Sequence, residues 1–356
     1  MKKHNRLMNL FKKSAAASLA LVLAAVMMAA SGMVSAKADD DDGLTEIHIS
    51  TVDDLKELAK NCRLDSWSQD KKVILDKSIE LNGEEFTAIP TFGGIFEGKG
   101  NTINGISITK DGSYQGLFRY VQEGAIVRNL TVKGNVLPGG TSSYVGGIVG
   151  SNKGLITNCK FAGVCNGKSN VGGIAGSNES EGTIYASIAE GVVYAEHYAG
   201  GIAGINVGII DSSSNSANIN TKIEQMDNIK IQDISLDTLT TTEDAVDITD
   251  IGGIAGYSSG KLYDNKNYGD VGYQHKGYNV GGIAGRQSGY IYGCANYGHI
   301  YGRKEVAGIA GQMEPYVNLT FTESTISQLR DKLDVLQNGI DKTINDARGY
   351  SDSVSD

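Results

Sequence analysis

Carboxylates, imidazoles, thiols and phenols are the side chains of this 356-residue chain with chemistry to offer, and their spacing decides which chemistry is open to them. Hydrolysis of a glycosidic bond needs two carboxylates about 5–10 Å apart. Asp211, Asp264 and Asp270 are the acidic residues that a stacked fold would bring nearest to one another, but carboxylates at turns are more often simply solvated, and no catalytic role is assigned to them. His48, His197, His275 and His299 are scattered, without the His-Glu-x-x-His helix of a zinc peptidase. With no Cys-x-x-Cys pair either, no metal is expected. The run from Gly163 to Ser169 has three residues between its glycines where a phosphate-binding loop needs four, so no nucleotide and no other cofactor is expected.

The phenols stand above this background. Nine of the seventeen tyrosines fall between Tyr257 and Tyr301. Aligned by repeat unit, Tyr263 matches Tyr292 and Tyr268 matches Tyr297, and these four are the candidate ligand-binding residues. A tyrosine offers a flat apolar body and a hydroxyl, which suits a sugar ring or a protein partner. The competing reading is structural, because tyrosine is a good strand former and stacked tyrosines stabilise a ladder.

The elements that must position these rings are set by a repeat. Gly-Gly-Ile-(Ala/Val)-Gly begins at Gly146, Gly172, Gly200, Gly252 and Gly281, and a degenerate copy begins at Ala307, with spacings of 26, 28, 52, 29 and 26 residues. Self-similarity at such a period marks a solenoid, whose units bury their apolar sides only by stacking. Isolated Ile and Val residues flanked by glycine predict short strands with tight corners. Ile148, Ile174, Ile202, Ile254 and Ile283 should form one buried file. The 52-residue interval is read as one unit plus about 25 extra residues, placed at 221–249. That stretch is acidic and glycine-free, so it is expected to leave the stack and to disfavour acidic polymers.

The flanks differ from the repeat. Lys2, Lys3, Arg6, Lys12 and Lys13 precede an apolar run at 14–30, and Val34-Ser35-Ala36 and Ala36-Lys37-Ala38 both fit a cleavage site. Residues 1–38 therefore read as a secretory signal peptide, with an uncleaved anchor as the competing reading, and no membrane span is expected after its removal. The remaining chain carries 26 basic and 41 acidic residues, a net −15, which disfavours nucleic acid as a partner. Residues 39–43 form an acidic spacer. In the expected N-terminal cap, 44–93, Thr51 and Asp54 predict a helix start, with Leu55, Leu58, Ala59 and Cys62 on one face.

The repeat itself spans 94–315. Cys159 and Cys294 occupy one repeat position, held by Ser187, Ser213 and Asn265 in the units between, too many rungs apart for a disulfide. A Cys159–Cys165 pairing stays open. In the tail, 316–356, Ile326, Leu329, Leu333, Leu336 and Ile340 follow heptad spacing and predict a helix that pairs with another helix or with the stack. The pattern reaches Asp356 without a stop signal, so a longer natural chain is expected. The expected fold is all-β, a parallel β-helix-like solenoid of short strands with an N-terminal capping helix and a C-terminal coiled-coil-type helix.

The run from Gly94 to Ile106, then Gly116-Leu117-Phe118, Val127 to Val132 and the glycine-rich units in that order, resembles bacterial secreted proteins with GLUG-motif repeats. The resemblance implies a β-helix-like scaffold on the bacterial exterior. Such repeats occur in adhesin-like surface proteins and beside the peptidase of immunoglobulin-A-cleaving enzymes, whose zinc motif this sequence lacks. The expected function is that of a secreted, non-catalytic cell-surface scaffold that binds an extracellular glycan or protein. Two other readings compete: a carbohydrate-active β-helix enzyme, and an accessory module of a larger surface enzyme.

Overall fold

The computed structural model describes residues 43–139, 141–221 and 248–314. The signal peptide, nearly all of the acidic spacer, the body of the insertion and the heptad tail lie outside the described residues. What is described is an all-β parallel solenoid of about nine turns. Four parallel sheets run along it. Sheet I has nine strands from Thr45–Ile49 to Tyr290–Tyr292, and sheet II has eight from Ile79–Glu80 to Ala295–Asn296. Sheet III has six from Ser143–Gly146 to Lys304–Ala307, and sheet IV has eight from Ile89–Phe92 to Ala310–Met313. Each full coil runs through sheets III, IV, I and II in turn before rising to the next.

The glycines of the repeat are explained by close approach. Gly146 ends a sheet III strand, and a Cβ there would lie 2.7 Å from Ala175 Cα of the next coil. Gly147 makes the corner, where a Cβ would enter the Phe161 ring. Gly150 lies in sheet IV, where a Cβ would meet the Tyr114 backbone carbon at 2.6 Å. Any side chain at these places would push two sheets or two coils apart. Between the glycines sits the isoleucine. Ile148, Ile174, Ile202, Ile254 and Ile283 are fully buried, and the Ile148 N–H donates to Ile174 O at 3.0 Å, Ile174 to Ile202 at 3.0 Å and Ile202 to Ile254 at 2.9 Å. The expected buried file is therefore a hydrogen-bonded ladder as well.

Two positions after the last motif glycine, a second ladder is polar. Asn152 Nδ2 donates to Asn178 Oδ1 at 2.8 Å, Asn178 Nδ2 to Asn206 Oδ1 at 2.8 Å, and Asn206 Nδ2 to Ser258 Oγ at 3.1 Å, all buried. A buried amide is tolerated only when its groups are paired, and an identical amide one coil up supplies the pairing from Asn152 through Asn206, where Ser258 ends the run. Where sheet I turns into sheet II, Asn129, Asn158, Ala186, Ser212 and Asp264 hold positive φ angles between 47° and 56°. The next residue points inward. The Cys159 N–H donates to Ser187 Oγ, Ser187 to Ser213 Oγ and Ser213 to Asn265 Oδ1 at 3.3, 3.1 and 2.9 Å.

Register passes across the long interval without a gap: Ala199 pairs with Ile251 and Gly200 with Gly252, as neighbouring coils do elsewhere. At the other end the ladder begins earlier than the glycine motif does. Thr45–Ile49 pairs in parallel with Lys71–Leu75, which pairs with Ile95–Glu97. Those first coils have no sheet III strand, and Phe92, Phe96 and Phe118 fill the space, with ring centroids 5.2 to 6.1 Å apart. The full motif is absent there, but corner glycines remain: a Cβ at Gly94 would press on the Ser68 and Lys71 carbonyls, and one at Gly116 would lie 2.7 Å from Gly146 O. Helix α1, Val52–Asn61, starts at a capping box between Thr51 and Asp54, buries Leu55, Leu58 and Ala59, and lies against the Ile89–Phe92 strand. No helix among the described residues is long and apolar enough to cross a membrane.

Candidate functional site

The four sequence-selected tyrosines separate into two pairs. Tyr268 and Tyr297 follow consecutive sheet II strands, Lys266–Asn267 and Ala295–Asn296, whose pairing places them one rung apart. Their backbone N–H groups are tied to Asn215 O and Asn267 O at 2.7 Å each, fixing where the rings emerge. The rings stack with centroids 5.0 Å apart and 9° between their planes. They are 50% and 62% exposed. Tyr263 and Tyr292 face each other as the last residues of sheet I strands, Lys261–Tyr263 and Tyr290–Tyr292, on the other side of the corner. Burial first, then Tyr290 and Asp211, pushes the Tyr263 hydroxyl up from its ordinary value. The aromatic surface is thus a stacked pair on one face and a register pair on the next, in place of a single strip.

The three aspartates do not converge on one point. Asp211 pairs in register with Tyr185 and Tyr263 and accepts from the Ser212 hydroxyl at 2.8 Å. Asp264 occupies the positive-φ corner. Asp270 lies beyond sheet II and accepts from the His299 N–H at 2.9 Å, with His299 Nδ1 3.1 Å from the same oxygen. Among the described residues no group of three His, Cys, Asp or Glu side chains is arranged to hold a metal.

All four cysteines are free. Cys159 and Cys165 are buried, and desolvation pushes the Cys159 thiol up to about 12, so neither is poised as a nucleophile. Beside α1 a pocket of about 190 Å³ is lined by Lys56, Ala59, Lys60, Arg63, Glu85, Phe86 and Thr87. That is below the roughly 300–1,000 Å³ of small-molecule sites.

A second aromatic group escaped the sequence reading. Two residues before each copy of the motif, at Tyr144, Asn170, Tyr198, Asp250, Asn279 and Glu305, the sheet III backbone takes a positive φ, and Tyr114, two residues before Gly116 on the preceding coil, does the same. Tyr114 and Tyr144 stack at 4.4 Å and 5°, and Tyr120 of sheet IV closes on Tyr114 at 4.9 Å. Further along, Arg286 lies over Tyr198 at 5.9 Å and Tyr257 at 4.9 Å, held by Asp250 and Glu314 at 3.2 Å each. The available signal was Tyr-x-Gly at Tyr114, Tyr144 and Tyr198, recurring in phase with the repeat.

No family model matches the chain, and neither a curated protein nor a solved structure matches it significantly.

Proposed function

We propose that the protein is a secreted, non-catalytic repeat scaffold of the bacterial cell surface, with an adhesive role in which exposed tyrosines take an extended glycan or protein segment. The observation that carries this reading is the Tyr268–Tyr297 pair, two near-parallel rings on consecutive coils, each at least half exposed. Rings in file suit a polymer better than a small molecule. Each contributes on the order of 0.5–1 kcal/mol by analogy with aromatic pairs, and weak sites in a row add through effective concentration. The basic and apolar N-terminal run supports export, and the GLUG-like order of segments supports placement among surface proteins of that type. The acidic balance favours neutral or basic partners.

In this reading α1 serves as the N-terminal cap, keeping the open end of the stack from pairing with other chains. The heptad residues Ile326, Leu329, Leu333, Leu336 and Ile340 serve a helix partner. The enzyme reading has weaker support, because Asp211, Asp264 and Asp270 each stand in a different local setting.

The test is an array of glycans and extracellular proteins probed with wild type and with a variant carrying Ala at Tyr263, Tyr268, Tyr292 and Tyr297. Loss of two to four ring contacts should weaken binding by about tenfold or more. Equal binding by a folded variant would reduce these tyrosines to structural ladders.

A further inference from the structure

The residues at the positive-φ column of sheet III are unequal in what they ask of the backbone. Asn and Asp tolerate the left-handed region, whereas a bulky side chain is disfavoured there. Asn170, Asp250 and Asn279 are the undemanding choices, yet Tyr114, Tyr144 and Tyr198 hold φ angles of 61°, 62° and 56° in the same column. Such outliers are grounds for a functional hypothesis when the side chain concerned is presented to solvent or to a ligand. Here the rings stand at the edge where sheets III and IV meet, partly exposed; Tyr114 and Tyr198 are each joined by a ring from the outward column of sheet IV, and Tyr144 stacks on Tyr114. That column runs in register through Tyr120, Ser151, Ser177, Ile205, Tyr257 and Arg286.

Between the two aromatic groups lies one carboxylate. Ser151 and Ser177 are buried, and both hydroxyls donate to the same oxygen of Glu179, Oε1, at 3.0 and 2.6 Å. The second oxygen, Oε2, has no hydrogen-bond partner among the described residues. Burial first, then Tyr144, Tyr120 and Glu179, pushes the Tyr114 hydroxyl up, in keeping with a carboxylate close to the first tyrosine group. Tyr144 and Tyr198 are two rungs apart, about 10 Å at the usual strand spacing, which is the scale of a disaccharide.

We infer that the sheet III–IV edge, from Tyr114, Tyr120 and Tyr144 across Glu179 to Tyr198 and Tyr257, is a second binding site that takes an uncharged glycan chain lying along the solenoid axis. Sugar rings lie on the Tyr114, Tyr120 and Tyr144 group and against the Tyr198–Tyr257 pair beside the Arg286 guanidinium that covers part of it, and a sugar hydroxyl between them donates to Glu179. Arg286 is already paired with Asp250 and Glu314, so the Glu179 carboxylate and the net negative charge of the chain disfavour acidic polymers. The inference rests on the ligand-binding reading but places the ligand on a different edge from Tyr268 and Tyr297.

The experiment compares wild type, Tyr144→Asn/Tyr198→Asn, Glu179→Ala and Tyr268→Ala/Tyr297→Ala for affinity to cellohexaose, chitohexaose, mannohexaose and, as the charged control, hexagalacturonate. Asparagine is what the same column carries at Asn170 and Asn279, so the first variant should keep or raise the thermal midpoint. It should nevertheless lose at least about tenfold in affinity for the neutral hexasaccharide that wild type binds best. Glu179→Ala should lose about tenfold, and it decides the matter if the double variant does not fold. Unchanged affinity in both, or preference for hexagalacturonate, overturns the site. Loss confined to Tyr268→Ala/Tyr297→Ala overturns it while leaving the ligand-binding reading intact, and absence of binding by wild type to all four oligomers overturns both.

Discussion

Gly173→Val is expected to lower the stability of the stack by about 3 kcal/mol or more, the upper range for overpacking a site that cannot relax. A Cβ at Gly173 would stand 2.6 Å from Ala189 Cβ and press on the Gly201 carbonyl of the next coil. The backbone oxygen cannot move without shifting the whole rung. The same motif position in the last coil is Gly308, where a Cβ meets nothing within 4 Å. Gly308→Val should therefore change stability by no more than about 0.5 kcal/mol, as surface substitutions do. Urea unfolding of the two variants separates the explanations. If both lose the same amount, the motif glycines are needed for backbone conformation and not for close approach.

Asn178→Ala is expected to cost about 2–3 kcal/mol, although it removes no apolar surface of consequence. The side chain is fully buried, accepts from Asn152 Nδ2, and donates to Asn206 Oδ1 and, at 3.1 Å, to Gly182 O. Truncation leaves amide groups of two neighbouring coils without their partner in a site closed to water. A surface asparagine would cost almost nothing. Thermal or urea unfolding gives the number, and a loss below about 0.5 kcal/mol would mean that solvent or the backbone takes over the freed groups.

The stack could be read from the sequence because the glycine pair has a steric reason that recurs at every rung. Gly146, Gly172, Gly200, Gly252 and Gly281 each sit where a sheet III strand meets the corner, so their spacing is the length of a coil. The interval between Gly200 and Gly252 was legible for the same reason, since the stretch between them lacks the motif altogether. The asparagine ladder was not legible. Asn152, Asn178 and Asn206 look like turn residues in a glycine-rich chain, and only the register shows that each faces its equivalent.

The candidate site was legible in part. Equal spacing placed Tyr268 beside Tyr297, but the corner at Asp264, with φ of 49°, puts Tyr263 and Tyr292 on another face. Sequence separation gives the rung and says nothing of the direction in which a corner turns the chain. The Tyr114, Tyr144 and Tyr198 column went unread because a positive φ at tyrosine is not something propensity would suggest.

The solenoid is one unbroken stack whose register crosses the long interval intact, and the Tyr198–Tyr257 contact depends on it directly. Tyr185 pairs with Asp211 and Asp211 with Tyr263, so Tyr185 and Tyr263 are two rungs apart across that interval. Thr157 and Asp211 are two rungs apart without crossing it. The most direct measurement is the nitroxide distance for each pair, with spin labels on cysteines introduced at those positions and the native cysteines replaced. Equal distances of about 10 Å are predicted for both pairs from the strand spacing. A Tyr185–Tyr263 distance longer than the Thr157–Asp211 distance by a further rung, about 5 Å, would contradict the register and with it the placement of Tyr257 beside Tyr198.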